Sequence, residues 1–103
     1  MIVEIVHFDL PAGTDRAGAL ALYRQSAGKW LTNPNLIEKY YFFDAVLCRG
    51  GGVYIWPSRE AATRWHGSDY RQMIASLYGS EPHIEILDAL IHVAPNKGNA
   101  IEL

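Results

Sequence analysis

A β-branched apolar run, Ile2 to Phe8 ("IVEIVHF"), stops at "DLPAG" and predicts a first strand. Thr14 is placed to cap the helix that follows, with Asp15 in its first turn near the positive end of the dipole. Ala17, Leu20, Ala21, Ala27 and Leu31 form a loose apolar stripe, and "TNPN" (Thr32 to Asn35) ends it. Leu36 to Phe43 ("LIEKYYFF") is aromatic and β-prone, giving a second strand, and Gly51 to Trp56 gives a third. The intervening "DAVLCRG" is short enough for a hairpin but not for a crossover helix. Pro57 closes that strand, and Ser58 caps a helix opening "REAATRWHG". Gly67 interrupts it, Ser68 and Asp69 restart it, and Tyr70, Met73, Ile74 and Leu77 fall at i, i+3, i+4 and i+7. Gly79 suits the left-handed residue that closes a helix. His83 to Ala94 reads as the fourth strand, with "PNKGNAIEL" as a polar tail.

The order β-α-β-β-α-β is that of the ferredoxin-like α+β fold, here over a single domain, residues 1–103. Right-handed crossovers put both helices on one face of a four-stranded antiparallel sheet. Yet the strands are apolar on both faces. Val53 and Ile55 oppose Tyr54 and Trp56, and Ile84 and Ile86 oppose Leu87 and Ile91. Two helices cover one face only, so a second copy of the chain is expected to cover the other as a homodimer.

Composition narrows the function. Half of the 103 residues are hydrophobic and 12% are aromatic, too apolar for disorder. Nine basic residues against eleven acidic leave no basic stripe, which argues against a nucleic-acid partner. Cys48 is alone, so an internal disulfide is excluded. The first strand carries Glu4 and no basic n-region, unlike a signal peptide, and no run approaches a membrane span. A cytoplasmic location is expected.

Gly50-Gly51-Gly52 enters a strand rather than a helix, and no Lys-Ser/Thr pair follows. The glycines are therefore not a phosphate cradle; a hairpin exit with a bulge or a close backbone approach fits them better. The same stretch, "GGVYIW" followed by "SREAATRW" with "LIEKYYFF" upstream, resembles the YdhR-type monooxygenases. These belong to the dimeric α+β barrel, antibiotic-biosynthesis-monooxygenase-like superfamily. The resemblance is most specific from Leu36 to Trp65, and the opening strand ending in "VHF" is similar too. It implies a dimer with a pocket between sheet and helices, and oxidation of a small aromatic or quinol by O₂ without metal or flavin. The superfamily also contains isomerases, lyase-type enzymes and proteins of no known reaction, so a non-catalytic ligand-binding dimer and an isomerase or lyase are the alternatives.

Such chemistry needs a base for a phenolic proton and a group that stabilises the resulting anion. His7, at the end of a central strand, is the first candidate base and His66, at the helix break "WHGSD", the second. Lys39, flanked by aromatics, is a candidate anion stabiliser, although an edge-strand lysine more often snorkels to solvent. A lysine in this strand is also part of the pattern the resemblance implies. Tyr41, Trp56, Trp65 and Tyr70 are candidates to line a flat apolar pocket, with core packing as the ordinary alternative. The histidines have no metal-ligand spacing, so neither metal nor cofactor is expected. The apolar loop Ala45 to Cys48 is unusual for a hairpin tip and is expected to pack on a partner subunit or to lid the pocket.

Overall fold

The computed structural model describes all 103 residues. Strands β1 (Ile2–Asp9), β2 (Glu38–Asp44), β3 (Arg49–Trp56) and β4 (His83–Asp88) form one antiparallel sheet in the order β2-β3-β1-β4. Helices α1 (Arg16–Leu31), α2 (Arg59–Trp65) and α3 (Ser68–Tyr78) cover one face. This is the ferredoxin-like α+β arrangement the element order predicts. No helix is long and apolar enough to cross a membrane.

Strand alternation assigns the faces. In β1, Ile2, Glu4, Val6 and Phe8 are buried under the helices, whereas Val3, Ile5 and His7 are half-buried on the other side. Registers carry this across the sheet: Glu4 pairs with Tyr54 and Ile86, Val6 with Ile84, and Lys39 with Tyr54. Tyr54, Trp56, Trp30 and Ile74 form the centre of the core beneath Ala61 and Ala62 of α2.

The three glycines serve a close approach. The Tyr23 hydroxyl donates to the Phe42 carbonyl at 2.8 Å and accepts the Gly51 N–H at 3.1 Å. Phe42 and Gly51 are partners in the β2–β3 register, so a phenol from α1 bridges the two backbone groups of that pair. A Cβ on Gly50 would collide with this hydroxyl, and one on Gly51 with the Val6 carbonyl. Gly50→Ala is expected to expel the phenol, strand the buried Gly51 N–H and the part-buried Phe42 carbonyl, and destabilise the fold by about 1–3 kcal/mol. Urea unfolding checks this, and the Tyr23→Phe, Gly50→Ala double variant should lose much less than the sum of the singles.

Strand β2 starts two residues later and β3 two residues earlier than the sequence suggests, and three further differences have a clear cause. Asp15, not Thr14, caps α1: its carboxylate accepts the Gly18 N–H at 2.8 Å, while the Thr14 hydroxyl turns back to the Pro11 carbonyl. The fourth strand breaks at Ala89–Leu90, because Ala89 bonds back to the Met1 carbonyl. The polar tail is ordered: β5 (Ile91–Ala94), a 3₁₀ turn (Pro95–Lys97) and β6 (Asn99–Glu102) make a hairpin whose left-handed turn residue is Gly98. Tail polarity hid this strand, since only Ala100 and Ile101 are apolar within β6.

Candidate active site

A cluster of polar groups lies sealed between the sheet and the helices. Glu4, in the middle of a central strand, is fully buried, and its Oε1 accepts the Trp56 indole N–H at 2.7 Å. The same oxygen is 2.5 Å from His66 Nδ1, a side chain equally buried. Glu4 Oε2 and His66 Nε2 meet no hydrogen-bonding group of the protein. Buried polar atoms are nearly always satisfied, so each exception calls for an explanation.

Local sequence explains the placement of His66. Helix α2 runs from its Ser58 cap to Trp65, and the extended Gly67 starts α3 at once. His66, at the junction, closes α2 through a bond to the Ala62 carbonyl, and its ring drops inward. Aromatic rings surround it: Tyr70 at 3.9 Å, Tyr54 at 4.5 Å, Trp30 at 5.6 Å and Trp56 at 5.7 Å between centroids. Burial lowers its pKa below the ordinary value; the Glu4 contact and charge push it back up, and Lys39 and Lys29 oppose that. The imidazole is therefore neutral at pH 7. With Nδ1 turned to Glu4, Nε2 is the nitrogen free to accept a proton.

Tyr54 and Tyr70 share a hydrogen bond at 3.0 Å between their hydroxyls. Desolvation raises both phenols above their ordinary pKa, Tyr54 well above it, so both keep their protons. One of the two hydroxyl hydrogens is used between them, which leaves the other as a donor toward an anion.

Lys39 enters the same cluster from β2. Its Nζ sits over three rings, 3.8 Å from the centroid of Tyr41, 4.4 Å from Tyr54 and 4.5 Å from Trp30. No carboxylate and no hydrogen-bond acceptor lies within reach of that nitrogen. Burial drives its pKa down to about 6, helped by Lys29 and resisted by Glu4. The ring faces attract an ammonium, but that pull is weak beside the loss of water with no anion in contact. Burial thus favours the neutral amine over the ammonium here, and the side chain lies inward over the rings instead of snorkelling to solvent.

Two spaces meet at this point. A cavity of about 10 Å³ lies between α1, α3 and the sheet, with Tyr54 and Tyr70 in its wall. An open cleft of about 290 Å³ lies between the end of α1 and β2. Lys39, Trp30 and Tyr41 line both, and so form the partition between them. Tyr41 is held there by its hydroxyl, 2.6 Å from Ser26 Oγ.

The residues singled out in the sequence thus divide. Lys39, His66, Tyr41 and Tyr70 come together. Trp56 is near them but fully buried, with its indole N–H engaged by Glu4, so it braces the carboxylate instead of lining a pocket. Trp65 turns toward the α1–β2 connection, where its indole bonds Asn35 at 3.0 Å. His7 lies on the opposite face of the sheet, its ring 4.6 Å from that of its register partner His83. It does not join Lys39 and His66, because odd positions of β1 point away from the helices. The sequence reading passed over Glu4 and Trp30. The one signal for Glu4 was a charged residue among Ile2, Val6 and Phe8 on a single strand face.

Solved structures share this fold. An antibiotic biosynthesis monooxygenase superposes with a TM-score of 0.66 at 18% identity, covering 87% of this chain and 99% of its own. SnoaB, a cofactor-independent oxygenase from Streptomyces nogalater, gives 0.61 at 11% identity, covering 85% and 91%. A monooxygenase from the gene ActVA-Orf6 of Streptomyces coelicolor, in complex with Nanaomycin D, gives 0.65 at 17%, covering 91% of each chain. No protein-family model matches the chain, and no curated protein matches it in sequence. At these identities the likeness establishes the fold.

Proposed function

We propose that the sealed cluster is the active site of a cofactor-independent monooxygenase acting on a small electron-rich aromatic or quinol. The observation that carries this reading is His66, a buried neutral histidine turned to a buried carboxylate, with Nε2 unpartnered inside an aromatic shell. The monooxygenases and the cofactor-independent oxygenase among the structural neighbours support the same class.

The chemistry needs little more than this group. His66 Nε2 removes the acidic ring proton of an anthrone-like substrate, and Glu4 stabilises the imidazolium that forms. The spare Tyr54/Tyr70 hydroxyl hydrogen holds the developing oxyanion. The substrate anion passes an electron to O₂, and the radical pair recombines to form a C–O bond. His66 then returns its proton to the peroxide, and loss of water leaves a carbonyl, so that CH₂ and O₂ become C=O and H₂O. Substrate access requires the Lys39–Trp30–Tyr41 partition to swing, because a cavity of about 10 Å³ admits no ring. Oxygen uptake by EDTA-treated protein with anthrones, naphthols and quinols tests the reading. Uptake proportional to protein and abolished by His66→Gln is expected. Absence of uptake with every compound, alongside clear binding of one, would replace it with a non-catalytic ligand-binding dimer.

The working unit in this proposal is a homodimer through the open sheet face. Tyr40, Leu87, Ile91, Val93, Ile101 and Leu103 are exposed there and on the C-terminal hairpin, far more apolar surface than scattered surface residues supply. Leu87→Glu should convert the dimer to monomer in sedimentation velocity; an unchanged sedimentation coefficient would remove this face from the interface.

A further inference from the structure

We infer that the Lys39 amine captures aromatic aldehydes or ketones from the α1–β2 cleft as a covalent imine. Nothing in the oxygenase reading requires this lysine to react, and the two ideas stand or fall separately.

Lys39 stands beside an open cleft with no counter-ion in contact. An ammonium offers three donors, yet Nζ meets only ring faces, with no acceptor or carboxylate in contact. The charged and titratable groups around it come from every neighbouring element: Lys29 of α1, Glu4 of β1, Tyr41 of β2, Tyr54 of β3 and His66 between α2 and α3. Of these only Glu4 favours the charged form, and its oxygens are turned to Trp56 and His66. A desolvated lysine of this kind is the ordinary form of an amine nucleophile, and its depressed pKa agrees. The second requirement is a place for the carbonyl compound. The cleft of about 290 Å³ has Lys39, Trp30, Tyr41, Leu36 and Ala27 in its walls, with Glu38 beside them, and this size suits one aromatic ring system.

The step balances without a further reagent. The amine lone pair forms a C–N bond as the carbonyl π pair moves to oxygen. One proton leaves nitrogen and one reaches oxygen, through solvent at the cleft mouth, to give a neutral carbinolamine. The remaining N–H proton then passes through solvent to that hydroxyl as the C=N bond closes and the C–O bond breaks, so amine and aldehyde become imine and water.

The experiment is reductive trapping at pH 7 with benzaldehyde and sodium cyanoborohydride, in which hydride adds to the imine carbon and fixes a benzyl group on nitrogen. The chain has three lysines, Lys29, Lys39 and Lys97, and peptide mapping distinguishes them from one another and from the α-amine. The expected result is Lys39 labelled about tenfold or more faster than Lys29 and Lys97, since only a neutral amine reacts. The preference should collapse in urea. Equal labelling of the three lysines, or labelling of Lys29, Lys97 or the α-amine with Lys39 untouched in the folded protein, would overturn the inference. Because trapping does not consume O₂, its outcome is independent of the oxygen-uptake assay.

Discussion

Replacing His66 by glutamine is expected to lower turnover by about 10²–10⁴-fold while the protein stays folded, the usual range for loss of a positioned proton acceptor. The amide is close to the imidazole in size and keeps the shell of Tyr54, Tyr70 and Trp30 packed, so circular dichroism should be unchanged. Glu4→Gln discriminates the pairing from a merely structural role. In the native protein burial lowers the His66 pKa and Glu4 partly restores it. Activity should therefore rise with pH along a limb below about 6.5, the ordinary histidine value, and level off at neutrality. Removing the carboxylate charge removes what holds the imidazole up, so the limb must move to lower pH, and the plateau must fall as imidazolium stabilisation is lost. The Trp56 indole still finds an amide oxygen, which protects the fold. A Glu4→Gln limb that stays in place, or moves upward, would separate Glu4 from the proton acceptor.

Where reading the chain succeeded and where it stopped has a common physical cause. Element order was legible because turn residues and apolar runs punctuate it: Pro57-Ser58, Gly67 and Gly79 mark helix ends that the structure keeps. Face assignment in β1 was not legible. "IVEIVHF" carries one polar residue on each face, Glu4 on one and His7 on the other, and alternation alone does not say which lies under the helices. The isolated histidine looked the better candidate for chemistry, but the carboxylate was the buried residue. Its burial depends on Trp56, 52 positions away, and on His66, which no local pattern connects to it. Likewise the phenol of Tyr23 that explains Gly50 and Gly51 comes from a helix that reads as unremarkable in sequence.

Lys39→Met is expected to stabilise the protein at neutral pH, by an amount on the order of a few kcal/mol. The reason is the cost of stripping a proton from this lysine when the chain folds. Unfolded, the side chain titrates near 10.4; folded, near 6. Between those values the unfolded chain binds the extra proton, so native stability rises with pH across that window and changes little below it on this account. His66, also lowered by burial, contributes the same sign only below about pH 6.5. The buried tyrosines act in the opposite direction, above their unfolded value of about 10, where the unfolded chain loses phenolic protons that the native state keeps. Native stability should therefore climb from pH 6.5 to about 9.5 and fall beyond. Methionine retains the stem that packs on Trp30, Tyr41 and Tyr54 without the titrating group. Its unfolding free energy should lose most of the rise between pH 6.5 and 9.5, and Tm at pH 7 should increase by about 5 °C or more. Urea unfolding at several pH values reads both. A native protein without that slope would mean that the lysine keeps its proton among the three rings. The aromatic faces would then outweigh desolvation, and the cluster would hold a cation suited to an anionic substrate instead of an amine suited to a carbonyl.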